Sequence, residues 1–407
     1  MQRSSDRILT SHVGSLPRPD ALLEVNRAKL GGTGFDAKLH AERLKAAVAA
    51  VVRREAETGI DVVNDGEFGK ASIGAIDYGP WMSYVWGRLE GWEPSDPAKV
   101  PLLATRRDRK LFAEFYREFD GTGFVSSSSL APRPPAFTGA IRYVGQAAIS
   151  ADLANLKAAL EGVAAAEAFV TSVAPGVFSP RHNHTYKSDE EFRLALGEAM
   201  REEYRAIIDA GFVLQLDDPG LPSNWDATEP EPSLAEYRKA AKARIEALNH
   251  SLRGLPPDRI RYHICWGSWH GPHVTDLPLA AIADILLMVR AGAISFEAAN
   301  VRHEHEWKLW RETKLPDGKI LIPGVVSHAT NVIEHPELVA DRIVRFADLV
   351  GRENVIAGTD CGLGGRIHEQ LVWAKLGALA EGAARASRTL WRGGSKGPSS
   401  DMRENID

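Results

Sequence analysis

The chain has 407 residues, of which 44% are hydrophobic and 25% are charged, as in an average globular protein. This composition excludes a disordered, collagen-like or membrane-spanning protein, and the chain is long enough to bury a large core. Its 49 Lys and Arg against 54 Asp and Glu give a net charge of -5, so we expect no general attraction to nucleic acid or to anionic lipid.

The N-terminal segment and the cysteine count indicate the compartment. MQRSSDRILTSHVGSLPRP contains no apolar stretch of the kind found in secretory signals, and no apolar run approaches the ~18 residues of a membrane span. We therefore expect a cytoplasmic protein that contacts neither membrane nor nucleic acid. Two cysteines, Cys265 and Cys361, are too few for a disulfide scaffold, which favours thiol or metal chemistry.

Short apolar, β-branched runs alternate with longer amphipathic stretches along the chain. Nine strand candidates lie, in chain order, at 7–15, 59–67, 140–146, 166–176, 211–219, 259–268, 293–300, 319–327 and 354–363. Amphipathic helices are predicted at 35–59, 188–210, 234–252, 278–291, 336–350 and 368–390. Strands that alternate with helices of this length imply βαβ units and a parallel sheet.

Eight such units favour an α/β fold of the closed (β/α)8 (TIM) barrel type over an open doubly wound sheet, and no GxGxxG follows an early strand. One of the nine candidates must then lie outside the barrel, and the sequence leaves open which one. We expect a single barrel domain over residues 1–390, with an insertion rich in Trp, Pro and Gly at 73–138 and a flexible tail at 391–407. The insertion is interpreted as a lid, a subunit contact or a packing surface.

Titratable residues fall at the C-terminal ends of the predicted strands. They comprise six acidic residues, two histidines and two cysteines: Asp65, Glu67, Asp217, Asp218, Glu297, Asp360, His263, His328, Cys265 and Cys361. In a (β/α)8 barrel the loops at this end build the active site, and the side chains there converge on the barrel axis. The sequence therefore predicts a functional site at this end.

His263 and Cys265 are separated by one residue, which on a strand places both on one face and allows them to hold one ion. Cys361 ends the last predicted strand, and Glu297 ends the strand after the HxC strand. Imidazole, thiolates and a carboxylate suit Zn(II) in tetrahedral geometry. The alternative is that both cysteines are small buried hydrophobic residues and that His263 is a hydrogen-bonded core histidine.

The order of motifs resembles a known family. TSHVGSLPRP, VNDGE, RPP, QLDDP, HIC, FEAAN, a strand-end histidine and GTDCGL follow one another as in the catalytic barrel of cobalamin-independent methionine synthase and its single-barrel relatives, including epoxyalkane:coenzyme M transferase. The resemblance spans nearly the whole chain and is most specific in HxC, the intervening Glu and DCG. It implies a zinc ion held by four ligands: His263, Cys265, Glu297 and Cys361.

The resemblance also implies a substrate site. Ser15, Glu67 and Asp217 would hold the amino and carboxyl ends of an amino-acid thiol. His328 would donate a proton to the leaving group, with Glu67 or Asp217 orienting it, and Arg133 of RPP keeps a family-like position for substrate contact.

Two further histidines are candidates for substrate contact, and the sequence departs from the family at two points. His182 and His184 follow the strand candidate at 166–176 and could face a substrate. The resemblance covers one barrel, so we expect no counterpart of the second, N-terminal barrel of the methionine synthases, and the Trp-containing folate platform expected after the third strand reads YVGQAAISADL. We read this second departure as evidence against a pteridine methyl donor.

The leading interpretation is an enzyme that transfers a methyl or other alkyl group to a small-molecule thiol, with a zinc-bound thiolate as the nucleophile. An alternative is zinc-dependent thiol addition to an epoxide or other activated carbon, or cleavage of a C–S or ether bond, without folate. Two other classes stay open: a barrel in which zinc activates water, and a non-catalytic zinc-stabilised interaction protein. The identity of the thiol and of the alkyl donor, and whether the chain forms a homo-oligomer, are not readable from the sequence.

Overall fold

The structure is a computed structural model that describes residues 1–32, 34–74, 77, 79–95, 107–121, 135–178, 180–267 and 270–392. Its strands are β1 (Leu9–Thr10), β2 (Val62–Val63), β3 (Leu89–Pro94), β4 (Pro135–Tyr143), β5 (Glu167–Val173), β6 (Val213–Asp217), β7 (Ile260–His263), β8 (Ala293–Phe296), β9 (Ile320–Val326) and β10 (Ile356–Thr359). Its helices are α1 (Asp20–Gly31), α2 (Ala37–Thr58), α3 (Pro80–Ser83), α4 (Arg107–Leu111), α5 (Ala113–Gly121), α6 (Gln146–Ala159), α7 (Asp189–Asp209), α8 (Gly220–Ala227), α9 (Leu234–Ser251), α10 (Ala283–Leu287), α11 (Pro336–Val350) and α12 (Glu369–Arg392).

Eight strands form one parallel sheet in the order β1-β10-β9-β8-β7-β6-β5-β2. An isolated parallel bridge between Ser11 and Val62 joins the two edge strands, so the sheet curves round into a barrel. The helices pack in neighbouring pairs, including α2 with α6, α7 with α9 and α11 with α12. The predicted α/β (β/α)8 fold is confirmed.

The barrel strands form where apolar residues occupy both faces of the chain. Strands β6, β7, β8, β9 and β10 are buried at every position, as expected for a parallel sheet enclosed by helices. The helix before β2 has defined ends: Asp36 accepts hydrogen bonds from the first-turn N–H groups of Lys38 and Leu39, and Gly59 ends the helix at a φ of 94°.

The strand candidate at 140–146 is the one of the nine that lies outside the barrel. It falls in β4, which pairs antiparallel with β3. The third barrel strand in chain order is instead β5, and the residues YVGQAAISADL run from the last residue of β4 into the first half of α6. The expected position of the folate platform was therefore wrong, and the departure noted there carries no weight against a pteridine donor.

The helix predicted at 278–291 was wrong in extent. A short 3-10 turn at Leu279–Ala281 and the five-residue α10 replace it. The carbonyls that would continue the helix bond to side chains of other elements: Lys319 Nζ donates to the carbonyl oxygens of Val289 and Ala291 at 2.7 and 2.6 Å, and Asn249 donates to that of Met288.

The described part of the predicted insertion contains α3, α4, α5, β3 and the start of β4. Asp108 of α4 anchors this part to the loop after β7, because its carboxylate accepts hydrogen bonds from the backbone N–H groups of His273 and Val274. Arg133 and residues 393–407 of the predicted tail lie outside the described residues. Within the described ranges, no helix is both long enough and apolar enough to cross a membrane.

Candidate active site

Neighbouring strands of the barrel bring three polar side chains to one level. Asp217 at the end of β6 is the register partner of His263 at the end of β7, and His263 is the partner of Ser295 on β8. Residues opposite one another on adjacent strands share a face. Because Asp217 and His263 are the last residues of their strands, all three side chains lie at the C-terminal end of the barrel. Ser295 Oγ lies 3.0 Å from His263 Nδ1 and fixes the imidazole ring.

The two cysteines meet at this end of the barrel. Their sulfur atoms are 3.7 Å apart, well beyond the ~2.05 Å of a disulfide. A ring nitrogen of His263 and the sulfurs of Cys265 and Cys361 all lie within 4.8 Å of one another, and all three residues are buried. Two thiolates on one tetrahedral zinc, each at ~2.3 Å, are separated by about 3.8 Å, so the sulfur spacing fits that ion.

The remaining donor atoms of this group also fit a metal. His263 Nε2 is buried and has no hydrogen-bond partner among the described residues. The hydrogen bond between the thiols, aided by Arg366 and His263, lowers the pKa of Cys361 well below that of an ordinary thiol. The same bond and burial raise the pKa of Cys265. Both thiols must lose their protons to act as metal ligands, and a cation bound between them would favour the two thiolates.

Glu297, the fourth predicted ligand, is hydrogen-bonded to the backbone N–H of the residue that follows Cys265, and its negative charge contributes to the raised pKa of Cys265. Its carboxylate belongs to a second buried group with His328 and Asp360, whose ligand atoms are also within 4.8 Å of one another. Glu297 accepts hydrogen bonds from the backbone N–H of Trp266 at 2.8 Å and from Asn300 Nδ2 at 2.9 Å. The structure thus gathers three predicted ligands tightly and places the fourth next to them.

His328 is buried within this second group. Burial lowers the pKa of its imidazole to about 4, while the negative charges of Glu297 and Cys361 act in the opposite direction. The Nδ1 atom has no hydrogen-bond partner in the described part of the chain. At pH 7 the ring is neutral, and the amount of protonated imidazole depends on how much negative charge the site carries.

Glu67, predicted to contact substrate, sits on a strained loop after β2. Its φ of 59° is unusual for a residue with a side chain. Glu67 Oε1 accepts hydrogen bonds from Thr171 Oγ1 at 2.6 Å and from Lys70 Nζ at 3.1 Å. A Cβ on Gly14 would lie 3.0 Å from Glu67 Oε1, so the loop after β1 passes close to this carboxylate.

Asp217, the second predicted carboxylate, lies near Glu67. Burial and the charge of Glu67 raise its pKa to about 7, and a hydrogen bond from Gln215 Nε2 at 2.7 Å acts in the opposite direction. Asp65 precedes Glu67 and accepts a hydrogen bond from its backbone N–H at 2.9 Å. Burial and the charge of Asp152 raise the pKa of Asp65 to about 7.

The other predicted contact residues are more scattered. Ser15 lies against the loop after β10, where Leu363 and Gly364 donate backbone hydrogen bonds to its carbonyl oxygen. His182 packs on Trp86 beside the hairpin, and its Nδ1 lies 2.7 Å from the carbonyl oxygen of Pro135. His184 is exposed. The contacts of His182 are with the hairpin region and not with the thiol group.

Sequence reasoning missed several residues that shape the site. Lys70 follows Glu67 by three positions in the same loop, a spacing that could have raised the question of an ion pair. Thr171 and Ser295 are strand residues whose hydroxyls bond to Glu67 and His263. Asp360 was noted at a strand end without a role. Its Oδ1 accepts hydrogen bonds from two backbone N–H groups after β8.

The fold and the site together define a class of protein: a (β/α)8 barrel with a group of buried imidazole, thiol and carboxylate ligands suited to a metal at the catalytic end of its strands. A profile of the family described as the cobalamin-independent synthase catalytic domain matches residues 121–385. This is more than half of the chain, and the protein therefore belongs to that family. The matched region contains all four predicted metal ligands and His328, whereas Ser15 and Glu67 precede it.

Individual relatives match along nearly the whole chain. A 2-hydroxypropyl-CoM lyase from Xanthobacter autotrophicus is 23% identical over 92% of this chain and 94% of its own length. A methionine synthase from Thermococcus kodakarensis is 24% identical over 95% of both chains. Among solved structures, a B12-independent methionine synthase from Shewanella sp. superposes with a TM-score of 0.70 at 20% identity, covering 94% of this chain and 99% of the other. This superposition supports the fold.

Proposed function

We propose that this protein is a zinc-dependent enzyme that transfers a methyl or other alkyl group to a small-molecule thiol. The observation that carries the proposal is the buried group of His263, Cys265 and Cys361, with ligand atoms within 4.8 Å of one another and an imidazole Nε2 that has no partner among the described residues. Membership of the cobalamin-independent synthase family and the names of the relatives agree with this chemistry.

In this proposal His263, Cys265 and Cys361 would hold the ion, with Glu297 as the fourth ligand. A bound zinc ion would lower the pKa of an incoming thiol so that it is a thiolate at pH 7. Ser295 keeps the imidazole of His263 in a fixed orientation. The burial of these side chains would limit the access of water, which would protect an electrophilic alkyl donor from hydrolysis.

The other residues of the site would bind substrate and move a proton. His328 would donate a proton to the leaving atom, and the negative charge of a bound thiolate and leaving group would favour its protonated form. Glu67 and Asp217 would position the end of the thiol that does not react. These roles rest on the placement of the three side chains around the barrel end.

A second candidate is addition of a thiol to an epoxide or other activated carbon, or the reverse cleavage of a carbon–sulfur bond. The specific observation in its favour is the similarity to a 2-hydroxypropyl-CoM lyase over 92% of the chain. The two reactions use the same thiolate and the same proton donor and differ only in the electrophile. Turnover of a methyl donor or of an epoxide by the purified protein separates them.

The test is zinc content together with zinc K-edge absorption, measured with and without homocysteine, coenzyme M and glutathione. We expect one zinc per chain with two sulfur ligands, and three sulfur ligands when an accepted thiol is added. In the Cys361→Ser variant the sulfur count should fall by one. His305, which is exposed, provides the matched control: His305→Ala should leave zinc content and sulfur count unchanged. Absence of zinc, or a sulfur count that no thiol changes, would refute the proposal.

A further inference from the structure

Glu67, the carboxylate expected to receive the ammonium group of an amino-acid thiol, already has an ammonium partner within the chain. Lys70 Nζ lies 3.1 Å from Glu67 Oε1 and 2.6 Å from Thr171 Oγ1. Lys70 is 5% exposed, and its ammonium lies over the ring of Tyr84, 4.6 Å from the ring centroid. The pair is therefore removed from bulk solvent, where its charges are weakly screened.

The loop that carries this ion pair is fixed at both ends of the pair. Arg18 Nη2 donates to the backbone carbonyl oxygens of Glu67 and Lys70 at 2.7 and 2.9 Å. The backbone N–H of Lys70 donates to the carbonyl oxygen of Glu67 at 3.0 Å, and Asp65 holds the N–H of Glu67. Lys70 thus occupies a defined position rather than one of many rotamers of a surface lysine.

A second ammonium group brought to Glu67 would meet Lys70 as well. Because the lysine binds one oxygen of the carboxylate, an incoming cation that gains attraction from Glu67 also suffers repulsion from Lys70, which offsets much of that attraction. Glu67 Oε2 has no hydrogen-bond partner within the described ranges, so it still offers an acceptor. That acceptor suits a hydroxyl group or a water molecule better than a second cation.

We propose that Lys70 is a specificity-determining residue and that the thiol used by this barrel carries no ammonium group at its non-reacting end. The substrate class is a mercaptoalkanoate, or a thiol with another anionic or neutral end group. The lysine acts by repulsion, which discriminates against a wrong substrate as effectively as a favourable contact selects the right one. This inference rests on the proposed thiol chemistry and names its substrate class.

Homocysteine and 4-mercaptobutanoate provide the test, because they differ only in the α-ammonium group. The dissociation constant of each is measured by titration calorimetry on the zinc-loaded protein, with the zinc-edge sulfur count as a second readout of thiol binding. We expect wild-type protein to bind 4-mercaptobutanoate at least as tightly as homocysteine. In Lys70→Met the affinity for homocysteine should rise at least tenfold relative to 4-mercaptobutanoate, whereas Lys70→Arg and the exposed-site control Lys45→Met should keep the wild-type order.

Each other outcome has a definite meaning. Wild-type protein that binds homocysteine at least tenfold more tightly than 4-mercaptobutanoate would overturn the inference and leave the thiol chemistry standing. An unchanged ratio in a folded Lys70→Met variant would also overturn it. If neither thiol binds or alters the sulfur count, the proposed function itself fails. The wild-type comparison does not depend on the variants, so it decides the substrate class even if Lys70→Met does not fold.

Discussion

Replacement of Ser295 by alanine tests whether the fold prepares His263 to bind a metal. Ser295 lies directly opposite His263 on the neighbouring strand, and its hydroxyl is 3.0 Å from Nδ1. This contact holds the ring and leaves Nε2 without a partner among the described residues, while a ring nitrogen lies within 4.8 Å of both sulfurs. The substitution removes one hydroxyl group and leaves every predicted ligand in place.

The expected loss of zinc affinity follows from the role of the Ser295–His263 hydrogen bond, which orients the imidazole ring. Loss of a partner that orients a metal-binding histidine typically lowers metal affinity by about 10- to 100-fold, which corresponds to about 1.4 to 2.7 kcal/mol. Loss of the same neutral hydrogen bond should lower the free energy of unfolding by only about 1 kcal/mol. We therefore expect Ser295→Ala to remain folded and to bind zinc at least tenfold more weakly.

The assay is competition for zinc against a chelator of known affinity, with urea unfolding of the metal-free protein measured in parallel. Ser251→Ala is the matched control, because Ser251 is also buried and its hydroxyl donates to the carbonyl oxygen of Leu248 in α9, outside the barrel end. Zinc affinity of Ser295→Ala within twofold of wild type would refute the reasoning. An equal loss in Ser251→Ala would show that general loosening of the fold, and not ring orientation, sets the affinity.

Three further predictions concern stability and the insertion. Glu203 is fully buried and accepts hydrogen bonds from Arg88 and from Tyr143. Glu203→Leu should therefore lower the free energy of unfolding in urea by about 3–5 kcal/mol. Glu202→Leu at the exposed neighbour should change this free energy by less than about 0.5 kcal/mol. Burial lowers the pKa of His303, but hydrogen bonds with Asp276 and Glu306 outweigh it and raise the pKa to about 9. Because the folded-state pKa exceeds the unfolded value, this stabilisation is complete below about pH 6.5 and is lost as the pH rises through about 9. The free energy of unfolding should therefore fall by up to about 3 kcal/mol across this window, and a His303→Phe variant that shows the same fall would contradict the assignment. Asp108→Ala should release α4 from the loop after β7 and speed limited proteolysis of the insertion, with barrel thermal stability nearly unchanged; an unaltered cleavage rate would show that Asp108 is not the anchor.

The barrel strands were predictable because burial on both faces produces a mainly apolar run that a sequence displays directly. The same signal failed at 140–146, where Arg142 is exposed on an antiparallel hairpin. Arg261 also interrupts an apolar run, yet it lies inside the barrel and donates hydrogen bonds to Gln215 and to Ser11. A single arginine in a strand looks identical in both contexts, since its partners come from residues far away in the chain.

The grouping of His263 with the thiols was predictable to a similar degree and for a local reason. A spacing of two residues predicts that His263 and Cys265 share a face of extended backbone, and the two side chains do meet although β7 itself ends at His263. The spacing of Lys70 from Glu67 suggests an ion pair, but it does not predict that the lysine is buried, because a lysine in a polar loop is usually solvated. Its burial depends on Thr171 of β5 and on Tyr84 of the insertion, both distant in sequence.

The glycine in the middle of β9 shows how the chemistry of the site constrains the barrel itself. Gly324 interrupts an apolar strand, and a glycine there weakens the strand on its own. A Cβ at this position would lie 2.2 Å from Asp360 Oδ1, so only glycine lets β10 bring this carboxylate in. That oxygen accepts the backbone N–H groups of Ala298 and Ala299 at 2.7 and 2.8 Å, directly after Glu297. The pairing of β9 with β10 shifts register at the same level. A glycine that strand propensity disfavours therefore allows Asp360 to hold together the ends of β8, β9 and β10. Glu297 follows β8, the predicted proton donor His328 follows β9, and Cys361 follows β10.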